Sequence, residues 1–86
     1  MNLKYHTKII YVVNETISVD QPGRPTVNVP SQRVGAKEFY IPRKEISEAY
    51  GEDAKKYYAR KLGFMSVDFE IIHQFNFGYR YIKNED

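Results

Sequence analysis

The chain contains no cysteine, which excludes disulfide bonds and metal sites built on thiolates. Its 86 residues are enough for one domain with one small core, so the fold must depend on packing or on packing plus self-association. Tryptophan is also absent, although aromatic residues make up 15% of the chain and eight of them are tyrosines. This aromatic content is typical of a folded chain, because disordered segments are poor in aromatic residues.

Long hydrophobic runs are missing as well. No apolar stretch approaches the roughly 20 residues that a membrane-spanning helix needs, so we expect no membrane partner. Charge interrupts the first residues at Lys4, and we therefore expect no signal peptide and a cytoplasmic location. The formal net charge of +2 is too small to indicate nucleic acid by itself.

The residue patterns that carry catalysis or bind cofactors do not occur in the sequence. There is no Gly-x-Ser-x-Gly elbow and no glycine-rich phosphate-binding pattern, and the two histidines, His6 and His73, have no ligand spacing. On a continuous strand Ser66 and Asp68 would point away from His73, so the three cannot form a hydrogen-bonded relay. We expect a non-enzymatic protein without catalytic residues, metal ligands or cofactors.

Three segments before residue 65 have clear patterns. Residues 3–19 alternate as a strand, and residues 34–41 alternate less regularly as a second one. Residues 20–33 contain three prolines and a glycine, which predicts an irregular loop. Residues 42–62 have a 3.6-residue apolar stripe, which predicts one helix that ends at Gly63 and bends or breaks at Gly51.

Residues 65–82 form the longest alternating stretch, with apolar or aromatic odd positions except His73 and mostly polar even positions. This pattern predicts a strand with one buried face. A straight strand would measure about 59 Å, whereas the predicted helix measures about 31 Å and cannot cover it. We favour a hairpin that turns near Asn76, Phe77 and Gly78; the alternative is that a second copy of the chain buries the uncovered half.

Together these segments predict an α+β fold over a single domain, residues 1–86. A small antiparallel sheet of three or four strands has one helix packed on one face, in the order β-β-α-β or β-β-α-β-β. The tail at 84–86 should fray. We interpret Asp68 and Glu70 as cross-strand ion-pair partners of Lys4 and Lys8.

The surplus of tyrosine favours a binding surface, because tyrosine supplies large contact area with a polar tip. The leading hypothesis is a protein-binding module, with a homodimer as a further possibility, and with partner-binding residues Phe77, Tyr79, Tyr81 and Tyr58. In its small size, lack of cysteine and aromatic richness the chain resembles small phage or mobile-element proteins. These include inhibitors of bacterial defence systems, which implies a role in blocking a partner's surface.

The alternative hypothesis is a nucleic-acid-binding protein. Gly23-Arg24-Pro25 is the central tripeptide of the minor-groove AT-hook, although Pro22 replaces the second arginine of that motif. Basic residues in the first turn of the predicted helix are disfavoured by the helix dipole, and phosphate contact would explain them. The residues of this hypothesis are Arg24, Arg33, Arg43, Lys44, Lys56 and Arg60.

Overall fold

A computed structural model describes residues 2–82 of the chain. Three strands form one antiparallel sheet in the order β2-β1-β3: β1 (Asn2–Val19), β2 (Val27–Pro42) and β3 (Phe69–Ile82). The chain between β2 and β3 forms 3₁₀ segments at Arg43–Ala49, Gly51–Asp53 and Ser66–Asp68, and the α-helix α1 (Ala54–Leu62). The fold is therefore mostly sheet and broadly α+β, with three strands among the residues described.

The core lies between one side of the sheet and the helical segment. Alternate residues of the central strand β1 point into it, and Thr7, Ile9 and Val13 are at most 3% exposed. The flanking strands add Ile41 and Phe69, and the helical segment adds Ala49, Ala54, Tyr57, Tyr58 and Ala59. Full burial of one such aliphatic or aromatic side chain stabilises the fold by about 1.5–3 kcal/mol, so this layer decides where α1 packs.

The single helix predicted over residues 42–62 is wrong in its first half. Tyr50 is extended and Gly51 has a φ of 68°, so helical hydrogen bonding cannot pass through them, and only Ala54–Leu62 is α-helical. The predicted break at Gly51 and the predicted end at Gly63 are confirmed. Gly63 has a φ of 84°, and its N–H donates to the carbonyls of Ala59 and Arg60.

The hairpin predicted within residues 65–82 is wrong. β3 runs without a turn from Phe69 to Ile82 and pairs with β1 along its whole length. The length of β3 is supported by backbone pairing with β1, which does not require a helix of equal length. Two register shifts against β1 leave Ile72 and Phe77 as extra, unpaired residues, which makes each of them a β-bulge.

The loop predicted over residues 20–33 is shorter in the structure, because β2 already begins at Val27. β3 begins opposite Val13, so β1 and β2 continue beyond it as a two-stranded ribbon. We call this ribbon the arm: residues 14–19 of β1, residues 27–32 of β2 and the loop 20–26. It contributes to the elongated shape of 60 × 29 × 18 Å. The tail predicted at 84–86 lies outside the described residues.

Candidate binding surface

The side of the sheet opposite α1 is covered by none of the elements within residues 2–82. On β1, every second residue points to this side, because its neighbours in sequence point into the core. These residues are Lys4, His6, Lys8, Ile10 and Val12. The register places Val34, Ala36, Glu38 and Tyr40 of β2 beside them. We call this side of the sheet the open face.

Five aromatic rings form a row across the open face, and each ring contacts the next one in the row. His6 on the central strand stacks on Tyr40 of β2, with ring centres 4.5 Å apart and planes within 9°. On its other side the His6 ring lies 4.6 Å from that of Phe77 on β3. Phe77 then lies 6.3 Å from Phe75, which lies 4.3 Å from His73. This five-ring row joins all three strands, and Tyr40, Phe75 and Phe77 remain 39–47% exposed.

A bulge decides which aromatic residues of β3 reach the row. Because Phe77 is an extra residue, it shares the open face with His6, and alternation along β3 is shifted by one position beyond it. Tyr79 therefore lies on the opposite side, where its ring meets that of Tyr5 at 5.2 Å. Tyr81 pairs with Leu3 and lies on the same side as Tyr79. The prediction that residues 77, 79 and 81 share one face is wrong.

Tyr58 is not part of any surface. Its side chain is fully buried, and its hydroxyl lies 3.1 Å from that of Thr7 and accepts a hydrogen bond of 3.3 Å from Gln74 Nε2. Burial raises the pKa of Tyr58, so the phenol stays protonated. The prediction that Tyr58 contacts a partner is corrected: this residue holds α1 on the sheet.

The open face carries more positive than negative charge. By the strand register the basic residues Lys4, Lys8 and Arg80 lie on this side of the sheet, and so do two acidic residues, Glu38 beside the five-ring row and Glu70 opposite Val12. Glu38 lies 2.7 Å from His6 Nε2, and this contact fixes the plane of the stacked ring. The other nitrogen, His6 Nδ1, is buried without a hydrogen-bond partner in the described structure.

The cross-strand ion pairs predicted for Lys4 and Lys8 with Asp68 and Glu70 are not formed. Lys4 lies opposite Arg80, and Lys8 lies opposite Phe75. Glu70 instead accepts a hydrogen bond of 3.1 Å from Lys55 of α1. The predicted pairing failed because β3 pairs antiparallel with β1, which puts the start of β3 at the far end of β1 from Lys4.

The residues of the nucleic-acid hypothesis are spread over separate parts of the molecule. Arg24 lies in the loop of the arm, and Arg43 and Lys44 begin the first 3₁₀ segment. Arg33 pairs with Glu15 at 2.9 Å. Arg60 of α1 pairs with Glu48 at 3.6 Å, and it lines a shallow groove with Lys56, Tyr57, Glu48 and Asp53. The structure therefore does not assemble these residues into one basic patch.

Glu45, on the side of the molecule that carries α1, has a displaced pKa. Glu45 accepts a hydrogen bond of 3.0 Å from the Tyr57 hydroxyl and lies 3.3 Å from Lys61 Nζ. The bond from Tyr57, and then Lys61, hold the Glu45 pKa below the 4.5 of an unperturbed glutamate. Burial, and then the nearby Glu45, raise the pKa of Tyr57. Neither group is poised to exchange protons near neutral pH.

Within residues 2–82 no three histidine or acidic side chains converge on a point where a metal ion would bind. No helix in the same range has the length and apolar character needed to cross a bilayer. Comparison with known protein families, curated proteins and solved structures finds no match to the chain.

Of the five-ring row, only Phe77 is among the partner-binding residues predicted from the sequence; the other members are His6, Tyr40, Phe75 and His73. The alternation predicts that Phe75 and His73 lie on a face that is buried by the core or by a second copy of the chain, and it places His6 on the polar face of β1. The sequence does indicate that the His6 side chain lies on the side of the sheet away from the core, because His6 alternates with the apolar residues of β1. Its contact with Tyr40 depends on the β1–β2 register, which alternation alone does not fix.

Proposed function

We propose that the protein is a non-enzymatic protein-binding module and that the open face is its binding surface. The observation that supports this most directly is the five-ring row, which crosses all three strands on a side of the sheet that no described element covers. An antiparallel sheet with one solvated face normally carries polar residues there. Here Val34 is 65% exposed and extends the apolar area beyond the rings.

Such a surface suits binding by burial of aromatic anchors. Tyrosine and other large side chains at the centre of an interface often contribute 2 kcal/mol or more each when water is excluded around them. The rings of His6, Tyr40 and Phe77 are already packed against one another, so binding immobilises few additional side-chain rotations. We infer a partner with an apolar patch and an acidic rim, because the three basic residues of the open face outnumber its two acidic ones.

The same small excess of positive charge disfavours the packing of two open faces on each other. It also leaves nucleic acid as the weaker candidate. Phosphate binding draws its free energy from clustered lysine and arginine, whereas here Arg33 and Arg60 are paired with carboxylates and Arg24 lies on the arm. In the proposed role the protein blocks a surface of its partner, as an inhibitor would, in the cytoplasm.

The experiment compares Phe77→Ser with Tyr81→Ser. Both residues are exposed aromatics of β3, but Phe77 lies on the open face and Tyr81 on the other side. Tagged protein is used to capture partners from its native cells; the captured protein is then purified and titrated by calorimetry. We expect Phe77→Ser to weaken binding by at least about tenfold, the scale of one interface anchor. Tyr81→Ser should bind as the wild type does, and both variants should keep native circular dichroism.

Two results would overturn the proposal. One is a purified partner that binds the Phe77→Ser variant as tightly as it binds the wild type. The other is the recovery of nucleic acid in place of protein, with an affinity for purified single strands that falls steeply between low and physiological salt.

A further inference from the structure

The two faces of the arm differ in character. On one face Gln32 Nε2 donates a 3.0 Å hydrogen bond to Asn14, and the Ser18 hydroxyl donates a bond of the same length to Asn28. This face satisfies its own polar groups. The other face carries two aliphatic cross-strand pairs, Ile17 with Val29 and Val19 with Val27, which we call the arm strip. Ile17 and Val27 are 44% and 47% exposed.

The arm strip continues the core side of the sheet beyond the end of the helical segment. Val13, at the base of the arm, is buried under that segment, and alternation places Ile17 and Val19 on the same side. Ile17 remains exposed there, and Val19 is half-buried. A two-stranded ribbon is marginally stable in water unless a third strand or a packed layer supports it. An added layer over the strip would therefore stabilise the arm.

We propose that the arm strip binds the arm strip of a second copy of this chain, with the two arms antiparallel and related by a twofold axis. A twofold contact brings identical patches together, so the patch must not repel itself. The strip meets this condition because it is aliphatic, and the charges at its base, Glu15 and Arg33, already neutralise each other at 2.9 Å. The open face meets this condition less well, because its three basic residues outnumber its two acidic ones.

The antiparallel arrangement also fits the ends of the arm. It places the tip of each arm beside the base of the other, where Phe64 packs under Arg33 and is followed by Met65 and Val67, 70% and 76% exposed. A ribbon packed there would lie about 10 Å from the sheet, the usual spacing of two packed sheets. Arg24 at the tip would approach Asp68 of the second copy, which adds a complementary charge pair.

The size of the strip sets the expected strength. A ribbon of six residue pairs is about 20 Å long and about 10 Å wide, so each arm offers about 200 Å² of face. Stable complexes bury about 800 Å² on each partner. The dimer should therefore be weak and should form only at high protein concentration. It uses the opposite side of the sheet from the five-ring row and does not depend on the proposed protein-binding function.

Sedimentation equilibrium from about 1 μM to about 1 mM tests the proposal, since this range spans weak interfaces. We expect the average mass to rise from monomer towards dimer as concentration increases. Ile17→Asp should remove this rise, whereas Thr16→Asp, one residue earlier on the polar face, should leave it unchanged. A wild type that stays monomeric throughout, or an Ile17→Asp variant that dimerises like the wild type, would overturn the inference.

Exchanging the charges of Arg24 and Asp68 tests the antiparallel orientation of the two arms and leaves the residues of the arm strip unchanged. Arg24→Asp should weaken dimerisation several-fold, and Arg24→Asp combined with Asp68→Arg should restore it, because the two charges meet between copies. Both positions lie outside the strands, so the fold should not change. Failure of the double variant to recover any affinity would exclude the antiparallel arrangement.

Discussion

The hydroxyl groups of Thr7 and Tyr58 lie 3.1 Å apart in the centre of the core, and both side chains are fully buried. Thr7 belongs to the central strand and Tyr58 to α1, so the contact joins the two layers of the fold. Gln74 of β3 donates to the same Tyr58 oxygen at 3.3 Å and to Asn76 at 3.0 Å. This polar group fixes the position of the helix in a core that is otherwise apolar.

Tyr58→Phe should lower the free energy of unfolding by about 1–3 kcal/mol, because the buried Thr7 hydroxyl loses its partner. Thr7→Val should have a smaller effect, since Tyr58 still accepts a hydrogen bond from Gln74. The double variant should lose less than the sum of the two single losses, because neither buried group is then unpaired. Urea unfolding of the four proteins measures these differences, and strict additivity would contradict the coupling.

A second prediction concerns Gly35, which lies opposite Tyr11 in the β1–β2 register. A Cβ atom at Gly35 would lie 2.4 Å from the end of the Tyr11 ring. That ring cannot move freely, because it packs on Phe64 and Phe69 with ring centres 5.9 Å and 5.3 Å away. Gly35→Ala should therefore destabilise the protein by about 1–3 kcal/mol.

The control is to introduce Gly35→Ala into a Tyr11→Leu variant, in which a shorter aliphatic side chain replaces the ring that crowds Gly35. In that background we expect Gly35→Ala to change the urea midpoint very little, since the backbone of Gly35 needs no positive φ. An equal loss in both backgrounds would mean that crowding by Tyr11 is not the reason for glycine at this position.

The pattern of the sequence was sufficient for the elements that local chemistry determines. Alternation located β1, and the glycines at 51 and 63 marked the break and the end of the helical segment, because a left-handed φ has a residue signature. β3 shows the opposite case. Bulges at Ile72 and Phe77 change which face the later residues occupy. Gly78, with a φ of 96°, marks the second bulge, but a glycine at this position is equally compatible with the predicted hairpin turn, and no comparable residue marks the bulge at Ile72.

The candidate site was predicted only in part for the same reason. Without the bulge, Phe77 would share a face with Tyr79 and Tyr81, as the alternation suggested; with it, Phe77 joins His6 and Tyr40 across two other strands. Contacts between residues 34 or more positions apart depend on register, which pairing with the central strand decides. The burial of Tyr58 likewise depends on how α1 packs on the sheet, and a helical stripe alone does not show which member lies deepest.

The lowered pKa of Glu45 makes stability depend on pH. The folded state favours the carboxylate, so its contribution is fully present above the unfolded pKa of about 4.5 and is lost as the pH falls through the lower folded pKa. Acidification below about pH 4.5 should therefore reduce the urea midpoint of the wild type. Glu45→Gln should be less stable at pH 7 and should show a shallower fall over the same range. Parallel slopes for the two proteins would show that other carboxylates dominate.

Hydrogen exchange should divide β1 into two parts at Val13. Amides between Tyr5 and Val13 lie in a central strand with a partner on each side and a packed core, so they should exchange only through global unfolding. Amides of residues 14–19 have β2 as a neighbour and no packed layer, so in dilute solution they should exchange at least about 100-fold faster.

Raising the protein concentration should slow exchange in the arm alone, because docking of a second copy supplies the missing layer. The Ile17→Asp variant should lose this slowing of exchange, whereas the Thr16→Asp variant should keep it. Uniform protection along the whole of β1 in dilute solution would mean that the arm is stable without a partner.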